Sequence, residues 1–274
     1  MANIVDIEEF ASPELDVYAR LTGPQLRREG SGGVCIAEGT KVILAGIEAG
    51  CRPRSLLMER RQAEGPAREV LSRIGDVPVY TASREVLSNL TGYALTRGYL
   101  CAFDRPEPAD AQHLLQQAQR LVVLDGVRDA ENLGSILRSA AAMGMEGVLL
   151  TPSCGDVFSR RALRVSMGTA FRIPCARIPE REWPDLLGQA GVTTLALMLS
   201  EDAKPLETFV PAAGERVAVA LGSEGDGLDA SVARACTHRL VIPMQPGVDS
   251  LNVGCAAAIA FYLLGKAGKS GATA

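Results

Sequence analysis

The sequence predicts an α/β protein of two domains, the second built on a mainly parallel sheet covered on both faces. Short apolar or β-branched runs alternate with 3.6-residue helical patterns along the chain, as successive βα units require. Leu121–Leu124, Gly147–Leu150 and Val217–Leu221 are apolar at nearly every position, which suits strands buried from both sides. The 274 residues exceed one ordinary domain, and Asp104-Arg-Pro-Glu-Pro-Ala-Asp110 carries two prolines among charged residues without periodicity. The boundary is set near residue 107, dividing residues 1–106 from residues 107–274.

In order, residues 13–29 read as a helical lead-in broken at Gly23-Pro24. Strand Val34–Ala37, a helix over Gly39–Ala49 with Val42, Ile43 and Ile47 on one face, and strand Ser55–Met58 follow. A helix over Pro66–Ile74, strand Val77–Tyr80, helix Ser83–Leu90 capped by Ser83, and strand Tyr99–Phe103 complete the first domain. The second opens with a short helix, Ala111–Gln119, and strand Leu121–Leu124. Leu133, Ile136, Leu137, Ala140 and Ala141 then form the apolar stripe of a helix that Gly144 closes. Gly134, Ser135 and Arg138 fall on the opposite face, where the missing side chain of Gly134 suggests close approach of a backbone or a ligand beside Arg138. Strand Gly147–Leu150, helix Phe158–Val165, strand Arg172–Ala176, helix Trp183–Ala190, strands Thr193–Leu197 and Val217–Leu221, and a short helix ending at Ala235 come next. The last strand, Leu240–Ile242, stops at Pro243. After a turn through Pro246 and Gly247, a helix starts at Ser250, capped by Asp249 or Ser250 and apolar on nearly all sides, hence buried.

Composition narrows the class. Hydrophobic residues at 47%, charged at 22% and aromatic at 4% describe a soluble globular protein. No apolar run reaches membrane-spanning length, and the acidic start lacks the basic and apolar regions of a signal peptide, so the cytoplasm is the expected compartment. Seven scattered cysteines without a Cys-x-x-Cys pair read as buried small hydrophobes. With two histidines, His113 and His238, no metal site is expected. A net charge of −4 argues against gripping nucleic acid by bulk electrostatics. Yet most basic residues are Arg, and Arg52, Arg54, Arg60, Arg61 and then Arg160, Arg161, Arg164 cluster; the planar guanidinium favours phosphate, making these candidate RNA or DNA footprints.

Gly222-Ser-Glu224-Gly-Asp-Gly227 lies between a strand and a helix, where open α/β sheets bind ligands. Its spacing is neither a dinucleotide fingerprint nor a phosphate loop, and no Gly-x-Ser-x-Gly elbow or Cys/His pair occurs. Asn132, Arg138, Glu224, Ser250 and Asn252 remain at strand ends, none a good nucleophile. A bound cofactor is therefore expected to supply the reactive group.

Asn132-x-Gly134-x-Ile-x-Arg138, Leu221-Gly-Ser-Glu-Gly-x-Gly-Leu228 and Ile242-Pro-Met…Ser250-Leu-Asn-Val resemble, in order and spacing, the three motifs of the SpoU (TrmH-like) RNA ribose 2′-O-methyltransferases. The resemblance spans residues 121–265, and Glu38-Gly-Thr-Lys41 extends it more weakly to an L30e-like substrate-binding domain. It implies the SPOUT fold, with a C-terminal deep trefoil knot that the strand pattern alone does not reveal. It also implies a homodimer through the C-terminal domain, and S-adenosyl-L-methionine in the knot, held by backbone groups at Gly222, Ile242, Met244 and Leu251. Catalytic positions carried over are Arg138, for phosphate and oxyanion contact, Asn132, Ser250 and Asn252, for placing the ribose, and Glu224, bracing Arg138 or the second motif's loop. The expected substrate is ribosomal RNA ahead of transfer RNA, since the L30e type is a ribosomal RNA binder. The competing readings are an RNA-binding module of the same fold without turnover, and a nucleotide-binding oxidoreductase or kinase, which the absent phosphate loops oppose.

Overall fold

The computed structural model describes residues 3–7, 13–19, 33–91, 98–248 and 250–265. In chain order these form β1 (Asn3–Asp6), β2 (Val34–Glu38), α1 (Thr40–Glu48), β3 (Pro53–Glu59), α2 (Arg68–Arg73), β4 (Pro78–Ala82), α3 (Arg84–Thr91) and β5 (Tyr99–Asp104). There follow α4 (Ala111–Gln117), β6 (Arg120–Leu124), α5 (Ala130–Ala142), β7 (Gly147–Leu150), α6 (Arg160–Val165), β8 (Cys175–Arg177), α7 (Trp183–Gln189) and β9 (Thr193–Leu197). The chain ends with β10 (Lys204–Pro205), β11 (Val217–Leu221), α8 (Ala230–Ala235), β12 (His238–Val241) and α9 (Val253–Leu264). Among the described residues no helix is long and apolar enough to cross a membrane.

Two compact units emerge: Met1–Glu107 with Asp156–Arg172, and Pro108–Gly155 with Ile173–Ala274. Residues 156–172, assigned by sequence to the second domain, therefore pack in the first unit. The physical reason is aromatic and ionic. The Phe171 ring lies 5.8 Å from that of Phe103 and 5.9 Å from that of Phe158. Arg105 stacks over Phe158 at 5.1 Å and forms a two-pronged ion pair with the mostly buried Asp156. Gly168, at φ +81°, sits so close to Val42 and Ala45 that a side chain there would collide with them.

The first unit's sheet runs β1-β4-β3-β5-β2, with β4 parallel to β1 and β3, and β5 antiparallel to β3 and β2. Leu15, Tyr18, Val34, Ile36, Leu57, Leu87 and Leu100 fill one side of it. Strand β1 was not foreseen, because its four residues are all exposed and carry no burial pattern. Of the lead-in, Pro13–Tyr18 is a 3₁₀ turn rather than an α-helix, and residues 20–29 lie outside the described residues.

The second unit's sheet is parallel throughout, in the order β10-β12-β9-β11-β6-β7-β8. Strand β11 is buried along its whole length between β9 and β6, as its Val-Ala-Val-Ala-Leu run requires. Trp183, Leu187, Val232 and Cys236 cover one side of the sheet. On α5 and α9, Leu133, Ile136, Leu137, Ala257, Ala260 and Phe261 are buried. These two helices run side by side in the same direction. A Cβ on Gly254 would lie 3.1 Å from Ser135 Oγ, and one on Gly265 would lie 2.0 Å from the Met143 carbonyl oxygen. The small face of α5 is thus covered by α9: Gly134 is buried and Ser135 half-buried, while Arg138 is exposed. Strand β8 begins at Cys175 rather than Arg172, because Thr169–Phe171 form a 3₁₀ turn. Cys35, Cys101, Cys154, Cys175 and Cys236 are buried, Cys51 is half-buried, and Cys255 departs from the expectation by being exposed.

Candidate active site

All strands of the second unit point the same way, so the loops leaving β6, β11 and β12 gather at one edge of the sheet, the place where α/β sheets hold ligands. The β6 loop enters α5 through Asp129, whose carboxylate accepts from the backbone N–H groups of Glu131 and Asn132, both at 2.9 Å. The β11 loop folds back on itself. Gly227 N–H donates to the Ser223 carbonyl at 3.1 Å, and a Cβ on Gly222 would lie 2.1 Å from Gly227 C and 2.3 Å from Leu228 N. Only glycine fits there.

The β12 loop ends at Asn252, and here the structure corrects the sequence. Helix α9 starts at Val253, and its cap is Asn252, whose Oδ1 accepts from Gly254 N at 2.9 Å and Cys255 N at 3.3 Å. Ser250 precedes the helix without capping it, and Asp249 lies outside the described residues. With Oδ1 committed to the cap, Asn252 Nδ2 faces the other way. It donates to Asn132 Oδ1 at 2.8 Å and to Glu224 Oε1 at 2.7 Å. One residue from each of the three sequence motifs therefore meets at a single node. Glu224 braces Asn252, not Arg138. Arg138 sits exposed on α5, six residues beyond Asn132.

Two cavities flank the node. The smaller, about 450 Å³, is lined by Leu197, Leu199, Gly222, Ile242, Met244, Ser250, Leu251 and Asn252. The four residues assigned to the cofactor thus line one cavity. The larger, about 760 Å³, is lined by Asp125, Arg128, Asn132, Glu180 and Arg181, among others. Ser223, Glu224, Asp226, Gly227 and Leu228 line both. Arg138 lines neither.

Asp125, Arg128, Glu180 and Arg181 were missed by sequence reasoning. The only available signal was Asp125 itself, the first polar residue after an apolar strand. Its Oδ2 accepts from Trp183 Nε1 at 3.2 Å and its Oδ1 from Thr151 Oγ1 at 3.2 Å. Burial nonetheless pushes its carboxyl above the ordinary 3.8, with those two hydrogen bonds opposing the shift.

The basic clusters lie in the first unit, and most of their charge meets carboxylates. Arg52 and Arg54 pair with Asp104, Arg60 with Asp6, and Arg61 with Glu59 at 2.8 Å. Arg160 and Arg164 flank the buried Glu38 at 3.9 and 3.8 Å, and Arg161 is exposed on the same helix, α6.

A parallel sheet whose edge holds two ligand-sized cavities, separated by one glycine loop, is the arrangement of an α/β ligand-binding protein. Comparison with known proteins makes the class specific. The model of the SpoU rRNA Methylase family matches residues 119–262. An uncharacterised tRNA/rRNA methyltransferase of Mycobacterium tuberculosis is 38% identical over 95% of this chain and 91% of its own. A 23S rRNA (guanosine-2′-O-)-methyltransferase of Acinetobacter baylyi is 31% identical over 68% of this chain and 77% of its own. The crystal structure of an AdoMet-bound rRNA methyltransferase from Sinorhizobium meliloti superposes with a TM-score of 0.78 at 26% identity, over 94% of this chain and 96% of that one. The chain belongs to the SpoU rRNA methylase family and is an S-adenosylmethionine-dependent RNA methyltransferase.

The smaller cavity suits that cofactor. Its volume of about 450 Å³ falls in the usual range of roughly 300–1,000 Å³ for sites that enclose such ligands. Apolar side chains at Leu197, Leu199, Ile242 and Met244 can face the adenosine, while the folded-back loop at Gly222 brings backbone to the wall.

Proposed function

We propose that this protein methylates a ribose 2′-hydroxyl of structured RNA, ribosomal RNA in preference to transfer RNA. The observation that carries the reading is the node of Asn132, Glu224 and Asn252, which ties the three loops together between the two cavities. The A. baylyi relative, by its name, acts on a guanosine 2′-hydroxyl of 23S rRNA.

Bound at Gly222, Ile242, Met244 and Leu251, S-adenosylmethionine supplies an electrophilic methyl group on a sulfonium. The chain's task is then to align the 2′-oxygen and to stabilise the charge that develops on it. Asn132 and Asn252, held rigid by their shared hydrogen bond, and Ser250 position the ribose, and Glu224 fixes Asn252. Arg138 contacts the adjoining RNA phosphate and the developing oxyanion. Its guanidinium acts as a planar cationic donor and not as a base. Six residues at 1.5 Å each set it about 9 Å along α5 from Asn132, on the exposed side where RNA can approach.

The reading extends to the rest of the molecule. The first unit serves as an L30e-like RNA-binding domain, its arginines at residues 52, 54, 60, 61, 160, 161 and 164 exchanging carboxylate partners for phosphate. The C-terminal segment forms the family's trefoil knot. The protein is a homodimer, which would cover Ile259 and Tyr262, 40% and 72% exposed on α9. Phe261, by contrast, is buried and belongs to the core.

The decisive experiment compares 2′-O-methylation across the ribosomal and transfer RNAs of cells with and without the gene, then restores the missing mark with purified protein and S-adenosylmethionine. One ribosomal RNA ribose is expected to lose and regain its methyl group. A lost mark on a base instead of a ribose, or on transfer RNA alone, overturns the proposal.

A further inference from the structure

Asp104 and Asp6, which meet Arg52, Arg54 and Arg60, are part-exposed carboxylates that can yield to a phosphate. Glu38, beside Arg160 and Arg164, is the exception. It is the last residue of β2, a strand buried along its whole length, and is itself 2% exposed. Its backbone is locked opposite Leu100 on β5, and the next residue, Gly39, donates to the Tyr99 carbonyl at 3.2 Å. The carboxylate cannot swing out. Among the described residues its Oε2 accepts no hydrogen bond. Burying a charge so poorly bonded costs stability, and local conflicts of this kind are expected at functional sites.

The neighbours of Glu38 show what its charge does. Nη1 of Arg160 lies 3.9 Å from its Oε2 and Nη1 of Arg164 lies 3.8 Å from it, beyond hydrogen-bond reach but close enough for attraction. The carboxylate is thus nearly equidistant from the two. Residues four apart share one face of α6, where two like charges repel each other. With Glu38 behind them they are drawn together instead. The helix itself is fixed, since Ser159 Oγ accepts from the Ala162 N–H at 3.3 Å and Ala162 and Leu163 are fully buried. Only the long arginine side chains are left to order, and each is 37% exposed. Because Glu38 attracts the pair without accepting from either, it consumes none of their N–H donors. Two guanidinium groups held side by side match the two free oxygens of one phosphodiester.

We propose that Glu38 is a positioning residue for RNA: from its buried seat it holds Arg160 and Arg164 side by side as a clamp for one backbone phosphate. The proposal rests on the reading of the first unit as an RNA-binding domain. It is tested with the full-length protein by following labelled methyl transfer from S-adenosylmethionine to total RNA from cells lacking the gene. Arg164→Ala should raise the KM for RNA about tenfold and flatten its salt dependence by about one phosphate contact. Glu38→Gln keeps the shape of the side chain but not its charge. It should raise the same KM about tenfold, because two long side chains must then be ordered on binding. The kcat at saturating RNA, and the affinity for S-adenosylhomocysteine read by calorimetry, should not change. Glu38→Asp holds the charge one methylene further back and should raise KM by part of that amount, which gives a second reading if glutamine is not tolerated in the core. In the Glu38→Gln background, Arg164→Ala should add less than about threefold, since Glu38 acts through the arginines. Unchanged or tighter RNA binding in the Glu38 variants, a fall in kcat at constant KM, or full additivity with Arg164→Ala would overturn the proposal. An unchanged KM in Arg164→Ala overturns the RNA-binding reading of α6 and the proposal with it; a raised KM there, with none in the Glu38 variants, overturns the proposal alone.

Discussion

Asn252 donates its side-chain amide to Asn132 Oδ1 at 2.8 Å while its own Oδ1 caps α9, so one side chain both starts a helix and orients a residue 120 positions earlier. The two functions can be separated. Asn252→Ala loses both, and the missing cap alone should lower stability by about 1 kcal/mol. Asn252→Asp keeps an acceptor for the cap but sets a carboxylate against Glu224 and loses the donor to Asn132. Denaturant titration should show Asp less destabilised than Ala, and single-turnover methyl transfer should fall at least about tenfold in both. A wild-type transfer rate in Asn252→Asp would mean that the node has no part in the site.

Arg138→Ala should leave S-adenosylmethionine affinity nearly intact, because Arg138 lines neither cavity. Methyl transfer should drop by about 10²–10³, the usual effect of losing one preorganised donor at a developing oxyanion. Arg138→Lys should recover only part of this, keeping the charge without the planar fork. An unchanged single-turnover rate in Arg138→Ala would reduce the residue to a surface arginine.

Gly222→Ala places a methyl group 2.1 to 2.3 Å from the backbone of Gly227 and Leu228. The loop must open, and the cofactor wall with it. Wild-type protein should gain about 2.7 kcal/mol of stability at a hundredfold excess of S-adenosylmethionine over Kd, read as a rise in melting temperature. The variant should show little of that rise; an equal rise would separate this loop from cofactor binding.

Ile259→Asp and Tyr262→Asp alter exposed residues three apart on α9 and should cause little loss of fold. Sedimentation at micromolar concentration should give a dimer for the wild type and a monomer for both variants. A monomeric wild type refutes the dimer.

Asp125 provides a pH test. Its folded carboxyl titrates above 3.8, so the ionised form carries a stability cost near neutral pH that is relieved as pH falls through the folded value towards 3.8. Asp125→Asn removes the cost at every pH and can still bond Thr151 and Trp183. The melting-temperature gain of the variant over the wild type should be largest near neutrality and shrink on acidification. A difference that does not vary with pH would mean that Asp125 titrates normally.

Much of the second unit could be read from the sequence, because local pattern and tertiary role coincide there. An unbroken apolar run such as Val217–Leu221 can only be a strand covered on both faces, and a glycine such as Gly144, at φ +75°, marks where α5 must stop. The residues Asn132, Glu224, Ser250 and Asn252 stood out for the same reason, as polar groups at the ends of such elements. What the sequence could not decide was partnership. Asp249, Ser250 and Asn252 are all good caps by residue type, and only the path of the β12 loop gave the role to Asn252. Glu224 was expected to brace Arg138 or the second motif's loop, and the path of the β12 loop set Asn252 against it. Residues 156–172 joined the first unit through Phe103 and Arg105, more than fifty positions away, and no periodicity encodes such a contact. The larger cavity is the extreme case. Asp125 and Asn132 flank the loop after β6 while Glu180 follows β8, two strands away, and only a parallel sheet, which delivers every strand's C-terminal end to the same edge, puts them around one cavity.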